Sequence, residues 1–241
     1  MKRCLLALLC AAGTTAGSWN STLAQDAAAQ DEPVTGAPQP EVVTSDWALH
    51  FTHGTPATVA IEQADGTIQW YWYMPYSVRN DTDESILFIP EIVIADNQGR
   101  VVHANRGVNA RAFPTIKKNL QNDLLESAAQ VPGDILPGED YVKEGIAIWP
   151  VSEEDVDEFV IFFGGIYGET APVLHPVTGE PMTAPVKDPA TGEPMTDEQG
   201  NVIMEPVTVR RTRKIHYSTP GTTNNPQRRT IERVGEEDVM R

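Results

Sequence analysis

Apolar and polar residues alternate most clearly between positions 69 and 79 of the chain. Period two is typical of a β-strand with one buried face, and aromatic and β-branched side chains suit such a surface. One face of this predicted strand carries Trp70, Trp72, Met74, Tyr76 and Val78. The other face carries Gln69, Tyr71, Tyr73, Pro75, Ser77 and Arg79. We therefore predict that the main core packs against the tryptophan face.

The segment after this strand predicts a β-meander. Asn80–Asp83 has the short polar side chains of a turn. Ile86–Ala95 is almost continuously apolar, as a strand covered on both faces is, and Asp96–Gly99 forms the next turn. Because Pro75 and Pro90 have no N–H to donate, we expect each of them at a sheet edge or a bulge.

Similar patterns along the rest of the chain predict an all-β fold. Further strands are predicted at Trp47–Phe51, Val59–Ile61, Val101–Val102, Val142–Trp149, Glu158–Tyr167 and Val207–Tyr217. Helical spacing of apolar residues predicts one short helix, Pro114–Ser127. Gly164 and Gly165 indicate a bulge or a close approach of another backbone. About eight strands and one helix predict an immunoglobulin-like antiparallel β-sandwich.

A long Pro/Gly-rich stretch, residues 169–205, separates the last two predicted strands. It contains the repeat HPVTGEPMT at His175–Thr183 and DPATGEPMT at Asp188–Thr196. Threonine, glycine and proline in this order favour turns, and two copies are fewer than a packed solenoid needs. We predict an extended, solvent-exposed loop of T-G-E-P turns.

The N-terminus has the pattern of a secretory signal peptide. Lys2 and Arg3 precede the apolar run Cys4–Gly13, and small residues lead to an expected cleavage site after Ala24. The apolar run is too short to span a bilayer, so we predict no transmembrane segment. We expect an exported protein, either periplasmic or extracellular.

Composition divides the remainder into three parts. Residues 25–41 are rich in alanine, glutamine and proline and predict a disordered linker. The β-sandwich domain is assigned to 42–221, and 222–241 to a polar C-terminal tail. Both cysteines, Cys4 and Cys10, lie in the signal, so the mature domain must be stable without disulfides. Lipidation at Cys10 is disfavoured, because leucines precede it where small residues are expected.

The charge balance argues against nucleic acid and anionic membranes as partners. The chain has 18 basic and 34 acidic residues and a net charge of −16. Removal of Lys2 and Arg3 with the signal makes the mature charge −18. A strongly negative protein is repelled by phosphate backbones and anionic lipids. Solubility outside the cell is a sufficient reason for such a charge.

The sequence contains none of the common catalytic or metal-binding motifs. H-E-x-x-H, the P-loop, G-x-G-x-x-G and G-x-S-x-G do not occur. The five histidines are scattered, at His50, His53, His103, His175 and His216. We therefore expect no metal, no cofactor and no enzymatic activity.

Three weaker features leave alternatives open. Glu91 is a lone carboxylate in an apolar strand. It is either an acid of raised pKa in a cleft or, as we prefer, a side chain that faces solvent or accepts a hydrogen bond beside Pro90. Asp96–Gly99 and Asp197–Asn201 offer oxygen ligands for calcium, but neither matches the EF-hand loop, and plain turns are preferred.

The candidate ligand-binding residues are Tyr71, Tyr73, Arg211 and Arg213. The two tyrosines lie opposite the tryptophans and either form a sugar-stacking platform or, as we prefer, lie beneath the helix. The two arginines belong to a basic cluster with Arg210 and Lys214. That cluster either contacts an anion or an acidic polysaccharide, or protects an edge strand and pairs with the protein's own carboxylates.

Several stretches resemble a group of uncharacterised exported bacterial proteins. They are WYWYMPYSVRNDT, FIPEIVIADNQGRV, LPGEDYVKEGIAIW, FVIFFGGIYG, RRTRKIHYSTPG and the terminal VMR. That group is similar in pattern to immunoglobulin-like secreted modules. The resemblance covers about Trp47–Gly221 without the T-G-E-P loop, and it implies no catalytic or binding residues.

Three functions are compatible with these observations. The first is a non-enzymatic structural or protein-interaction module of the cell envelope. The second is a domain that binds carbohydrate or another envelope polymer. A hydrolase of unrecognised type is the third.

Overall fold

The computed structural model describes residues 47–151, 156–220 and 230–241. These residues all belong to one compact unit, residues 37–241. The predicted signal peptide (1–24) and linker (25–41) lie outside the described residues, as does the start of the predicted tail.

The described chain forms fourteen strands and one α-helix. The first six strands are β1 (His50–His53), β2 (Ala57–Glu62), β3 (Ile68–Arg79), β4 (Ile86–Phe88), β5 (Glu91–Asp96) and β6 (Val101–His103). The helix α1 (Ala112–Leu120) follows, and then β7 (Gly133–Ile135), β8 (Lys143–Pro150) and β9 (Glu158–Gly164). The last strands are β10 (Thr170–Pro172), β11 (Thr183–Pro185), β12 (Met204–Pro206), β13 (Thr208–Ser218) and β14 (Glu232–Met240).

Two antiparallel sheets form a β-sandwich, as the sequence predicts. The central strand of the smaller sheet is β3, which pairs with β8 along one edge and with β1 and β2 along the other. In the larger sheet β13 pairs with β9 and β10 on one side and with β14 on the other, and β9 continues to β5 and β6. The main core lies between the sheets.

The tryptophan face of β3 is buried in that core, so the predicted orientation of the strand is confirmed. Trp72, Met74, Tyr76 and Val78 are buried there against side chains of β5, β9 and β13. The indole of Trp72 meets the Phe159 ring edge-on, with centroids 5.0 Å apart. Edge-to-face packing is the arrangement that the charge distribution of aromatic rings favours.

The predicted β-meander is wrong, because β3 and β5 belong to different sheets. The apolar run Ile86–Ala95 is divided at Ile89 and Pro90: β4 pairs with β7, and β5 pairs with β9 in the larger sheet. Since proline cannot continue a ladder of hydrogen bonds, the chain changes sheets at this point.

Pro75 lies inside the central strand β3, so the predicted position at a sheet edge or a bulge is wrong. The β1–β2 segment is interrupted at residues 54–56, opposite the middle of β3, and the Gly54 N–H donates to the Pro75 carbonyl oxygen at 2.9 Å. The missing N–H of Pro75 therefore falls where the neighbouring ladder is already interrupted.

The helix packs against the outer face of the smaller sheet and makes a second core. Ala112 and Ile116 of α1 are buried with Val59, Ile61, Tyr71, Leu125, Ile146 and Ile148. The helix ends at Leu120, seven residues before the predicted end, because Gln121 adopts the left-handed conformation and its N–H donates to the Lys118 carbonyl oxygen. Leu124, which extended the apparent helical spacing, is exposed.

Asn80 organises the turn that leaves β3. It is fully buried, and its Nδ2 donates to the Glu84 carbonyl oxygen at 2.7 Å and to the Ile135 carbonyl oxygen at 2.8 Å. Its Oδ1 accepts from the Thr82 N–H and hydroxyl at 3.0 and 2.8 Å. One side chain thus joins the end of β3 to β7.

We expect Asn80→Ala to lower the free energy of unfolding by about 2–3 kcal/mol, because the Ile135 carbonyl oxygen loses this donor in a buried place and the Glu84 carbonyl oxygen keeps only the Thr82 hydroxyl. Urea unfolding monitored by tryptophan fluorescence measures the change. Asn97→Ala, in an exposed turn, is the control and should change stability by less than about 0.5 kcal/mol. Equal losses in the two variants would contradict the role given to Asn80.

The segment predicted as a polar tail contains the strand β14. Eight of its nine residues are exposed, and it pairs with β13 from Arg211–Met240 to Ser218–Glu232. One edge of the larger sheet is therefore β14, and β13, which the basic residues suggested as an edge strand, lies inside the sheet. The exposed polar sequence of β14 has no buried face, and so it carries no period-two hydrophobic signal.

Candidate functional site

The basic residues of β13 form an ion-pair network with β14. Arg211 donates to Asp238 Oδ2 at 2.7 Å and to Glu169 Oε2 at 3.0 Å. Arg213 Nε donates to Asp238 Oδ1 at 2.6 Å, and a second nitrogen of its guanidinium donates to Glu236. The positive charge of both predicted arginines is thus already balanced by carboxylates of the protein.

Aromatic side chains complete this network. The Arg211 guanidinium lies 4.5 Å from the Tyr167 ring centroid, and the Tyr167 hydroxyl accepts from Arg213 and donates to Asp238 at 3.1 Å. His53 of β1 lies 3.4 Å from Glu236 and 3.3 Å from the Tyr217 hydroxyl. The network therefore ties the edge strand β14 to the opposite sheet.

The network also sets the protonation of its carboxylates. Partial burial by itself would raise the pKa of Asp238, but hydrogen bonds from Arg211 and Arg213 outweigh it and hold the pKa below its usual value. The pKa of Glu236 is lowered in the same way, against the effect of burial, by Arg213 and His53. Burial raises the pKa of the Tyr217 hydroxyl to about 12.

These shifts predict a loss of stability in acid. A carboxyl whose pKa is lower in the folded than in the unfolded protein stabilises the fold above its unfolded pKa, and this contribution disappears as the pH falls through the folded pKa. We expect the urea midpoint to fall as the pH drops below about 4. Asp238→Asn should flatten this dependence, whereas Glu205→Gln, in an exposed strand, should leave it unchanged. An Asp238→Asn protein with the same acid dependence as the native protein would contradict this assignment.

The two candidate tyrosines do not form an exposed platform. Tyr71 is 3% exposed beneath α1, and its hydroxyl accepts from the Asn109 N–H at 3.3 Å. Tyr73 is half-buried and packs against the same cluster. These tyrosines and the arginines of β13 lie on different sheets, so the four predicted residues do not make one site.

A pocket of about 200 Å³ lies on the outer face of the larger sheet. Glu91 of β5 pairs with Gly164 of β9, and a Cβ placed on Gly164 would lie 3.9 Å from the Thr212 hydroxyl of β13. The three residues thus form a row across three strands, and the middle one has no side chain. The gap left at Gly164 is the floor of the pocket.

The rim of this pocket is polar and positively charged. The whole pocket is lined by Ile89, Glu91, Gly164, Gly165, Arg210, Thr212 and Arg241. Arg210 and Arg241 exchange backbone hydrogen bonds at 2.7 and 3.0 Å. The Arg241 guanidinium also lies 4.3 Å from the Phe162 ring centroid. This contact holds Arg241 on the outer face of the sheet.

Arg210 and Arg241 differ from the other cations of this sheet. Arg211, Arg213 and Lys214 each form an ion pair. Within the described ranges, no carboxylate lies within 4.0 Å of the guanidinium of Arg210 or Arg241. The exposed carboxylate of Glu91 shares the pocket with them, so this side chain faces solvent in a cleft.

Comparisons with known proteins do not identify the chain. No family model, curated protein or solved structure matches it. Among the described residues, no helix is both long and apolar enough to cross a membrane. In the same part of the chain, no group of three or more His, Cys, Asp or Glu side chains could hold a metal ion.

The T-G-E-P stretch is more ordered than the predicted loop. We call residues 173–207 the arm. Val173 donates to the Val207 carbonyl oxygen, Val207 to that of Met182, and Met182 to that of Val173, at 2.7–2.8 Å. Val186 and Met195, thirteen residues after Val173 and Met182, form a second ring of bonds with Ile203 at 2.7–2.9 Å. Because each segment donates to one neighbour and accepts from the other, the three segments wrap around a common axis.

The two repeats use equivalent side chains to close their turns. His175 Nδ1 accepts from the N–H groups of Val177 and Thr178, both at 3.3 Å. Asp188 Oδ1 accepts from those of Ala190 and Thr191 at 2.7 and 3.1 Å. These backbone hydrogen bonds lower the pKa of Asp188. The Asp197–Asn201 segment, one of the calcium alternatives, closes a third turn through Asp197 and Asn201.

The arm displays apolar side chains to solvent. None of its residues is buried. The large apolar side chains more than a third exposed are Val177, Met182, Met195, Val202, Ile203 and Met204. The 13-residue recurrence of valine and methionine could have indicated two stacked units, but the returning segment 203–207, which supplies the third partner of each ring, has no such signature.

Proposed function

We propose that the protein is an exported, non-enzymatic β-sandwich that acts as an interaction module of the cell envelope and binds a partner protein through the arm. The observation that carries this proposal is the construction of the arm. Its backbone is ordered by its own hydrogen bonds, while methionine and aliphatic side chains stay exposed. Adaptable side chains such as methionine suit a protein-binding surface.

Other features support this proposal. The residues before Ala24 have the pattern of an export signal, and a strongly acidic chain suits the exterior of the cell. The titratable groups around Arg213 pair with carboxylates of β14, which favours a structural role for them.

The arm can be deleted without interrupting the strands on either side of it. Val173 and Val207 are joined by a backbone hydrogen bond of 2.8 Å. Residues 174–206 can therefore be replaced by an Asn-Gly turn, the favoured connection between two antiparallel neighbours. We expect the thermal unfolding of the sandwich to be unchanged, because β10 and β13 keep their pairing.

The test compares this armless protein with the native mature protein in affinity capture from fractionated envelope. We expect proteins captured by the native form to be lost without the arm and weakened by combined Met182→Gln and Met195→Gln changes. Leu124→Gln, at an exposed leucine outside the arm, is the control and should capture normally. Equal capture with and without the arm would reject the proposal.

The second candidate function is binding of carbohydrate or another envelope polymer. The tyrosine platform considered for it is covered by α1, and Arg211 and Arg213 are paired within the protein. The observation that favours this function is instead the pocket between Glu91 and Arg210, whose two guanidinium groups have no ion-pair partner in the described part of the chain.

A further inference from the structure

We infer that the pocket over Gly164 binds the carboxylate of a uronic acid, a sugar that carries a carboxyl group. The inference rests on the carbohydrate-binding form of the proposed function and names its ligand class and site. The site consists of Arg210 and Arg241, which bind the carboxylate, and Glu91, which accepts hydrogen bonds from sugar hydroxyls.

The charge around the pocket points to an anion. On a chain of net charge −16, most cations would be expected to find a carboxylate, and the neighbouring cations of β13 do. Arg210 and Arg241 do not among the described residues, and both line the same cavity. The planar guanidinium of arginine matches a carboxylate with two parallel hydrogen bonds. A carboxylate ligand would supply the partner that the fold does not.

Glu91 restricts the kind of anion. The side chains that line the pocket carry two positive charges and one negative charge, which suits a singly charged group better than a phosphate dianion. An ionised carboxylate also accepts hydrogen bonds without donating any, so Glu91 favours a ligand that brings hydroxyl groups beside its own carboxylate. A uronic acid has both.

The size and lining of the pocket agree with a sugar residue. About 200 Å³ corresponds to roughly seven water molecules, which is room for one small polar ring. Ile89 is 60% exposed at the rim and offers an apolar contact to the C–H face of a ring. Polar and apolar atoms line the pocket in about equal measure, which suits a sugar ring that carries both hydroxyl and C–H groups.

Nuclear magnetic resonance titration of the mature protein at low ionic strength tests the inference. The probes are glucuronate, glucose as its neutral counterpart, acetate as a bare carboxylate, and N-acetyl-dialanine as a peptide carboxylate. We expect glucuronate to shift the amide signals of Gly164, Gly165 and Thr212, and to bind at least tenfold more tightly than each of the other three. Comparable binding by glucose or acetate, tighter binding by the peptide, or no binding of glucuronate would overturn the inference.

Three variants localise the binding. Arg210→Gln should weaken glucuronate binding at least tenfold, whereas Arg106→Gln removes the same charge from an exposed position outside the pocket and should leave binding unchanged. Gly164→Val fills the floor, where a Cβ meets no described atom of other residues closer than 3.4 Å, and should abolish binding with the circular dichroism spectrum preserved. Unchanged binding in Arg210→Gln would also overturn the inference, even if Gly164→Val failed to fold.

The inference of glucuronate binding and the proposal of protein binding by the arm can be rejected independently of each other. The armless protein retains Arg210, Gly164 and Glu91 and should bind glucuronate normally. The Arg210→Gln protein retains the arm and should capture protein partners normally.

Discussion

Replacing Trp72 with alanine will lower the free energy of unfolding by about 3–5 kcal/mol. The indole is 5% exposed between the two sheets and meets the Phe159 ring at 5.0 Å. Alanine leaves a cavity where Phe159 and Trp149 lose contacts, and neither can fill it, because both are fixed by their own strands. Chemical denaturation followed by circular dichroism measures the loss.

Trp70→Ala is the matched control for this change. Trp70 lies two residues earlier on the same face of β3 but is only half-buried at the end of the strand. We expect its removal to cost clearly less than that of Trp72. If Trp72→Ala cost less than about 1 kcal/mol, the tryptophan face could not be the main core of the sandwich.

Gly165→Ala will be the second severe change, with an expected cost of more than about 3 kcal/mol. Gly165 has φ of +91°, a conformation that residues with a Cβ rarely adopt. A Cβ there would also lie far inside van der Waals contact with the carbonyl oxygen of Ile89. This oxygen belongs to the backbone at the point where the chain changes sheets. It therefore cannot move without displacing β4 or β5.

A second glycine separates the cost of the positive φ from the cost of the contact with Ile89. Gly66 has φ of +83°, but a Cβ there meets no atom within 4 Å. Gly66→Ala should therefore show only the conformational cost, about 1 kcal/mol. Thermal unfolding of both variants measures the difference, and similar losses would show that the contact with Ile89 is unimportant.

Much of the β-sandwich could be predicted from local pattern. The alternation around Trp72 identified β3 and its buried face, and the apolar runs identified β8 and β9, because the burial of one or both faces of a strand requires apolar residues at regular positions. The position of Pro75 was not predicted, because the interruption in the neighbouring ladder that accommodates its missing N–H lies in a different segment of the chain. The immunoglobulin-like topology stays a prediction.

Pairing between distant segments could not be predicted in the same way. The meander was wrong because sequence neighbours need not be sheet neighbours, and a run such as Ile86–Ala95 looks the same whether it serves one sheet or two. The strand β14 was missed because its exposed residues have no apolar face. Its position is maintained by backbone pairing and by the arginines of β13.

In the candidate site too, local sequence indicated some residues, but their partners depend on contacts between distant segments. Arg211 and Arg213 were conspicuous in the sequence, but their carboxylate partners on β14 lie more than twenty residues away along the chain. Strand alternation already predicts that Arg210 lies on the opposite face from them, but only the fold places it beside the pocket over Gly164.

The identity of β3, β8 and β9, the buried side of β3 and the acidic composition of the chain are local properties, and the order of residues was enough to establish them. Which strands become neighbours, which arginines are neutralised and where a cavity remains depend on contacts between residues far apart in the chain. Such contacts are chosen by the packing of the whole domain, because a side chain gains or loses partners only when two sheets and an edge strand come together.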